Sequence, residues 1–323
     1  MSETILVTGS AGFLGYHLAV ALAGNPANRV ICADNFIRGE DDALYQALLD
    51  RDNVTGLSLD LTDPAAVAKL PDDVDVVYHM AALNGTQNFY NCPFEVVRCC
   101  TLPTMHLLAK YGPLGRLRRF VYAGTSEAYA STVQTFGWEV PTAENVPVSF
   151  DDTYNARWSY GASKVHGEIA VIHASNEYKM PHTIARFHNA YGPRMGDKHV
   201  IPDFLMRARE GRFELYGWED TRSFIYVDDA IAATIAMGES EACVNQTINL
   251  GGTREITMLE LGKIIMETCG FEGEITCFPS PAGSVRRRCP DIRKLKSLTN
   301  FKENWSLERG LQATIDYYLS DQH

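Results

Sequence analysis

What the chain lacks narrows it first. Its eight cysteines (32, 92, 99, 100, 243, 269, 277 and 289) form no Cys-x-x-Cys pair and no Cys/His spacing of a zinc site. Neither a disulfide framework nor a metal is therefore expected, and reduced thiols in the cytoplasm are. Cys99 and Cys100 are adjacent and read as packing residues on a helix. Basic residues are in deficit: 29 Lys and Arg against 40 Asp and Glu leave a net charge of −11. That balance argues against nucleic acid or an anionic membrane as partner. No apolar run is long enough to span a bilayer, and Met1-Ser2-Glu3-Thr4 passes into a strand pattern without a basic, apolar leader. Internal repeats, low-complexity stretches and long linkers are missing too. What remains is 323 residues, 46% hydrophobic and 21% charged, enough to bury a large core as one big domain or two smaller ones.

The first half alternates short apolar runs with helical patterns. Strands are expected at Thr4–Thr8, Arg29–Asp34, Val54–Leu59, Val74–His79, Arg119–Ala123 and Thr183–Arg186. A helix is expected over Phe13–Ala23, with Leu14, Leu18 and Leu22 on one face, and a long one around Thr153–Tyr178. Continuous apolar strands separated by helices imply an α/β fold, a doubly wound parallel sheet covered on both sides. After Asn189 the rhythm loosens, punctuated by Gly192, Pro193, Pro202, Gly211, Gly217, Pro279 and Pro281. Residues 1–190 are expected to form one domain and 191–323 mainly a smaller lobe. The stretch 223–250 is expected to return to the first domain, because Ser223–Val227 and Gln246–Leu250 look strand-like.

Two motifs carry chemistry. Gly9, Gly12 and Gly15 follow the first strand and open the first helix, as Gly-x-x-Gly-x-x-Gly. Glycine permits the tight turn, lets backbone approach a pyrophosphate and lets helix pack on strand, while the helix N-terminal N–H groups face the phosphate. The backbone of Phe13 and Leu14 belongs to that N-terminus. Asp34 ends the second strand, 19 residues past Gly15. A carboxylate there accepts from adenosine ribose hydroxyls and repels a 2′-phosphate, so NAD is expected over NADP. Asn35 follows it, Asp60-Leu61 after the third strand is placed to contact adenine, and Ala81-Ala82 after the fourth keeps the backbone open to the cofactor. His79 reads as a structural residue at a strand end. The second motif is Tyr160-x-x-x-Lys164. Residues four apart share a helix face, and a nearby ammonium favours phenolate over phenol. A phenolate poised near neutral pH takes a hydroxyl proton while hydride leaves the same carbon.

These segments, together with Thr125-Ser126-Glu127-x-Tyr129, Arg186-Phe187-x-Asn189-x-Tyr191-Gly192-Pro193 and Arg222-Ser223-Phe224-x-Tyr226-Val227-x-Asp229, resemble the extended short-chain dehydrogenase/reductase superfamily in its nucleotide-sugar epimerase/dehydratase branch. The resemblance covers nearly the whole chain in order. It implies a Rossmann-type domain with a C-terminal nucleotide-sugar lobe, bound NAD, and a homodimer joined by a four-helix bundle. It also implies that Tyr160 removes the sugar 4-hydroxyl proton while NAD takes the C4 hydride. Lys164 would lower the Tyr160 pKa and hold the nicotinamide ribose, and Thr125 or Ser126 would hydrogen-bond the reacting oxygen. The NADH formed then returns its hydride.

The step after oxidation is read from fewer residues. Glu127 resembles the dehydratase and UDP-glucuronate decarboxylase position, where a carboxylate near C5 suits proton abstraction. Arg222-Ser223-Phe224, Tyr191-Gly192-Pro193-Arg194-Met195 and Arg286-x-Arg288-x-Pro290-Asp291 look like decarboxylases or epimerases. Arg186-Phe187-His188-Asn189 and Pro281-x-Gly283-x-Val285-Arg286 are similar to GDP-mannose 3,5-epimerase, which puts a second acid/base lysine near Lys198. Arg222, Arg286 and Arg288 are the candidate diphosphate cations, because guanidinium groups bind phosphate in a bidentate manner. Asn189 is expected beside the diphosphate, and Tyr216 or Trp218 against the base. An epimerase acting through a 4-ketone is the first reading and a decarboxylase or 4,6-dehydratase the alternative. A net 4-ketoreductase and a non-catalytic dinucleotide sensor follow, and the sensor is disfavoured because Tyr160 and Lys164 are both present.

Overall fold

The computed structural model describes residues 2–196, 199–211, 213–280 and 285–320. Six strands come in order along the first half: β1 (Thr4–Thr8), β2 (Arg29–Asp34), β3 (Val54–Ser58), β4 (Val76–His79), β5 (Arg119–Thr125) and β6 (His182–Phe187). A seventh, Gln246–Leu250, arrives from the second half and pairs with β6. The spatial order is Gln246–Leu250, β6, β5, β4, β1, β2, β3, and every pair is parallel. The order reverses at β1, where a parallel sheet opens a crevice at its carboxyl edge.

Side-chain alternation explains why both faces are covered. Ile5, Val7, Val30, Cys32, Val76 and Tyr78 enter one apolar cluster, with Leu18 and Leu22 of helix α1 (Phe13–Ala23). Their neighbours Leu6, Ile31, Ala33 and Val77 enter another, with Leu107, Leu108 and Val171. A strand presents alternate residues to opposite faces, so continuous apolar strands need two helical layers. Each fully buried Leu, Ile or Val contributes roughly 1.5–3 kcal/mol. The helices Pro93–Tyr111 and Trp158–Tyr178 pack side by side over the second face.

Two expectations shift. The long helix starts at Trp158, because Asp152 and Asn155 turn the preceding backbone: their carboxylate and amide oxygens accept from the Tyr154 and Arg157 N–H groups. Ser223–Val227 is not one strand of the main sheet. Thr221–Ser223 pairs with Glu255–Thr257 and Arg287–Arg288, Ile225–Tyr226 pairs with Ala190–Tyr191, and a helix begins at Val227. Phe213–Tyr216 and Ile275–Phe278 form a further two-stranded sheet. These short pieces stand beyond the carboxyl edge and wall the crevice. Among the described residues, no helix is long and apolar enough to cross a membrane.

Candidate active site

A cavity of about 710 Å³ runs from the glycine turn to Arg222 and Tyr216. Its size is that of a site holding organic ligands rather than water. The cofactor end is backbone. Gly9 has φ +70°, and a Cβ there would lie 2.8 Å from the Ala81 backbone; a Cβ on Gly15 would fall 1.9 Å from the Gly9 carbonyl oxygen. Helix α1 has no side-chain cap, and its first turn opens on the cavity at Gly12, Phe13 and Leu14. Uncapped N–H groups with a positive helix end are an anion cradle. Asp34 lines the same end, its oxygens accepting from the Ala11 and Phe36 N–H groups at 2.9 and 2.8 Å. It braces the two loops and retains lone pairs for ribose hydroxyls. Asn35, Asp60, Leu61, Ala81 and Ala82 all line the cavity.

Arg194 ties the lobe to this end. Its side chain is 4% exposed. The guanidinium lies over the Tyr16 ring at 4.0 Å, reaches the Ala11 and Glu40 carbonyls at 3.4 and 3.3 Å, and pairs with Asp42 at 3.2 Å. The sequence signal was its place after Gly192-Pro193; its partner loops were not readable from it.

Tyr160 and Lys164 sit one turn apart on the Trp158–Tyr178 helix, both buried and both lining the cavity. The Tyr160 ring stacks on Phe89 with centroids 5.2 Å apart. Thr125, the last residue of β5, lines the cavity with Tyr160, and its side chain favours the ionised phenol. The expected lowering of the phenol pKa is not what this arrangement produces. Burial raises it, and the nearby Glu127 carboxylate adds to the rise. Lys164 is meanwhile turned onto the Tyr122 ring, 4.3 Å from its centre, and burial pulls its own pKa down to about 8. A cation drawn onto an aromatic face, its charged form already disfavoured by burial, is a weak electrostatic partner for the phenol. His79 bridges the Thr8 and Thr104 hydroxyls at 2.8 and 2.9 Å, and burial drives its pKa down to about 3, as suits a neutral structural imidazole.

The opposite end is charged. Glu127, in the 3-10 turn after β5, takes Arg157 Nη2 at 3.1 and 3.2 Å on its two oxygens and Arg288 Nη2 at 2.6 Å on Oε1. Burial alone would raise its pKa, but the Arg288 and Arg157 guanidiniums outweigh that and hold it below the ordinary carboxyl range. The proton-abstracting role read from sequence therefore meets a carboxylate that is already engaged and weakly basic. Arg157 was missed, although it stands three residues before Tyr160 on the face that leads to it. Ser126 lines the cavity, and so do Asn189, whose amide donates to the Ser223 carbonyl at 2.9 Å, and Arg222. Burial, with Arg288 beside it, lowers the Arg222 pKa to about 10. Arg288 lines the cavity, whereas Arg286 is exposed and off its wall, contributing its carbonyl to Thr221 and Arg222. Arg287 turns outward to Glu255. Tyr216 lines the far end and stacks on Phe278, while Trp218 packs into the core. Lys198 lies outside the described residues. Among those described, no group of three or more His, Cys, Asp or Glu side chains could hold a metal ion.

Comparison with known proteins agrees with this geometry. The model of the NAD dependent epimerase/dehydratase family matches residues 5–251. A UDP-N-acetyl-alpha-D-glucosaminuronate decarboxylase of Bacillus cytotoxicus is 31% identical, with 98% of each chain covered. Among solved structures, a UDP-glucuronic acid 4-epimerase of Bacillus cereus, in complex with UDP-glucuronic acid and NAD, superposes with a TM-score of 0.87 at 28% identity, covering 97% of this chain and 98% of that one. A Thermotoga maritima UDP-glucose 4-epimerase with UDP-glucose gives 0.86 at 28% identity, covering 98% of both.

Proposed function

The chain belongs to the NAD-dependent epimerase/dehydratase family, and we propose that it epimerises a nucleotide-diphosphate sugar by transient oxidation at C4. The observation that carries this reading is the convergence of the Tyr160 phenol, Thr125 hydroxyl and Lys164 ammonium on the cavity that the glycine turn opens. Gly9, Gly12, Gly15 and the α1 N-terminus fit a dinucleotide pyrophosphate, since a Cβ on Gly9 or Gly15 would collide with the neighbouring backbone. Asp34, Asn35, Asp60 and Leu61 would hold the adenosine. The bound dinucleotide supplies the hydride acceptor and, in its oxidised form, a positive charge. Lys164 leaves the Tyr122 face to bind the nicotinamide ribose, so its charge and the cofactor's offset the burial that keeps Tyr160 protonated. Tyr160 then takes the C4 hydroxyl proton with Thr125 orienting the oxygen, and gives it back when the ketone is reduced from the other face. Arg222 and Asn189 hold the diphosphate, and Tyr216 the base.

A second reading, decarboxylation, is favoured by Glu127 between Arg157 and Arg288. Two guanidiniums on one carboxylate, with Arg222 near, leave excess positive charge where the sugar lies, which suits a hexuronate. A 4-ketone makes its C6 carboxylate that of a β-keto acid. The C5–C6 bond breaks, its electron pair forms the enolate, carbon dioxide leaves, and a proton returns to C5. No side chain need abstract a C–H proton, so a weakly basic Glu127 is no obstacle. Dehydration needs such a base and is less well supported.

We also place the protein in the cytoplasm, as a homodimer. Phe94 (79% exposed), Val97 and Met105 form an apolar stripe on the Pro93–Tyr111 helix, beside exposed Ile169 on the Trp158–Tyr178 helix. Two such helices per subunit suit a four-helix bundle. Phe94→Glu with Met105→Glu should halve the particle mass in light scattering; an unchanged mass would move the interface elsewhere.

Incubation with UDP-, GDP-, dTDP- and CDP-sugars in heavy water, read by mass spectrometry, tests the reaction. An unlabelled isomer is expected of simple C4 epimerisation. Loss of carbon dioxide selects the decarboxylase, loss of water the dehydratase, and no turnover of any sugar rejects the proposal.

A further inference from the structure

Three elements meet at Glu127: the 3-10 turn that carries it, the N-terminus of the Trp158–Tyr178 helix, and the strand Arg287–Arg288. Arg157 differs from Arg288 in one respect. Arg288 lines the cavity, while Arg157 is not on its wall. Its side chain is 16% exposed, its Nη2 spans both carboxylate oxygens, and its guanidinium lies 5.6 Å over the Trp158 ring. Trp158 is fixed in turn, buried against Ala130 and Val285 and donating to Asp151 at 2.6 Å. Close packing makes the same joint. A Cβ on Gly161 would come within 3.2 Å of the Glu127 carbonyl oxygen, so the catalytic helix and the Glu127 turn are already in backbone contact.

We infer that Arg157 is a positioning residue that fixes the Glu127 carboxylate, as an anion, in register with Tyr160 one helical turn away. The helix that carries the phenol thereby also sets the carboxylate, and Arg288 alone of the two guanidiniums is left to face substrate. This rests on the C4-oxidation reading for its kinetic consequence but not for its electrostatic one. Among the described residues, the charged and titratable groups around Glu127 are Arg157 and Tyr160 from the helix, Arg288 from its strand and Arg222 from Thr221–Ser223. Of these, only Arg157 and Arg288 touch the carboxylate.

The test is a carboxyl carbon-13 NMR titration of the glutamate-labelled protein, with the Glu127 signal assigned by its loss in Glu127→Gln. In the wild type the signal should titrate below the ordinary glutamate range. Arg157→Leu should raise its midpoint by about one unit or more, and Arg157→Lys, which keeps a point charge, by less. An unchanged midpoint in a folded Arg157→Leu overturns the proposal. Should Arg157→Leu fail to fold, Arg157→Gln keeps a hydrogen-bonding amide and is read the same way. The kinetic arm uses UDP-glucuronic acid. Arg157→Leu should slow turnover about 100-fold at unchanged NAD content, and should add little in a Glu127→Gln background. Equal losses in both backgrounds would mean that Arg157 acts only as a helix support. If wild-type protein turns over none of the nucleotide sugars, the proposed function fails while the titration still decides Arg157.

Discussion

The two ends of the cavity are built on opposite principles. At the glycine-turn end, backbone forms the wall: three glycines, an uncapped helix and small residues at strand ends, all on consecutive strands of one sheet. At the opposite end, charged side chains form it, and they come from four separate places, the turn after β5, the start of the Trp158–Tyr178 helix, Thr221–Ser223 and Arg287–Arg288. A backbone cradle tolerates no added atom but is indifferent to charge. A side-chain cluster tolerates changes of shape but not the loss of one ion from a balanced set. Tyr160 stands at the junction, one turn from Arg157 and one from Lys164.

The contrast is broken most severely at that junction. Tyr160→Phe should lower the rate of C4 oxidation by about 1,000-fold and leave bound NAD unchanged, measured as NAD released from the denatured variant. Arg288→Leu should come next. It leaves Glu127 with one partner in a nearly dry site, and breaking a buried ion pair costs about 3–5 kcal/mol. Apart from that loss of stability, kcat/KM for UDP-glucuronic acid should fall, while UDP-glucose, with no carboxylate, should be affected less; equal losses would refute a uronate-facing Arg288.

Lys164 offers a prediction of opposite sign. Its folded pKa of about 8 lies below the ordinary 10.5, so burying the ammonium is unfavourable. The penalty is fully present below pH 8 and disappears as pH rises from 8 to 10.5, where the unfolded chain also discharges. At roughly 1.4 kcal/mol per unit this amounts to about 3 kcal/mol. Lys164→Met should therefore abolish turnover yet raise the melting temperature of the cofactor-free protein at pH 7, with the gain fading toward pH 10. The smallest effect belongs to the backbone end. Gly12→Ala, whose Cβ would stand 3.3 Å from the Gly9 carbonyl oxygen, should destabilise by about 1 kcal/mol through overpacking and weaken NAD retention, seen by thermal melting and cofactor content, without altering which product forms.

The same contrast explains what could be read from sequence. The cofactor end was legible because its parts are local: Gly9 to Gly15 and Asp34 lie at strand ends whose apolar pattern is continuous, and a glycine's reason is in its own backbone. Tyr160 and Lys164 were legible because helix periodicity brings them together. Arg157 shares that helix but gains its meaning from Glu127, 30 residues earlier, and no periodicity links a turn to a helix start. Arg286 and Arg288 looked alike in sequence, and only the pairing of Arg288 with Arg222 across two short strands decides which one faces the cavity. The rise in the Tyr160 pKa was not legible for a related reason: spacing places an ammonium one turn away but does not tell how deeply the phenol is buried.

The central claim is that Tyr160 and bound NAD oxidise C4 and then reverse that oxidation. Stopped-flow absorbance of the NAD-loaded protein mixed with UDP-glucuronic acid tests it directly. The account predicts that NADH absorbance rises and then decays to its starting level as product forms, and that Tyr160→Phe shows no rise. Product formation with no NADH transient in any solvent isotope, or NADH that accumulates in proportion to product, would contradict it.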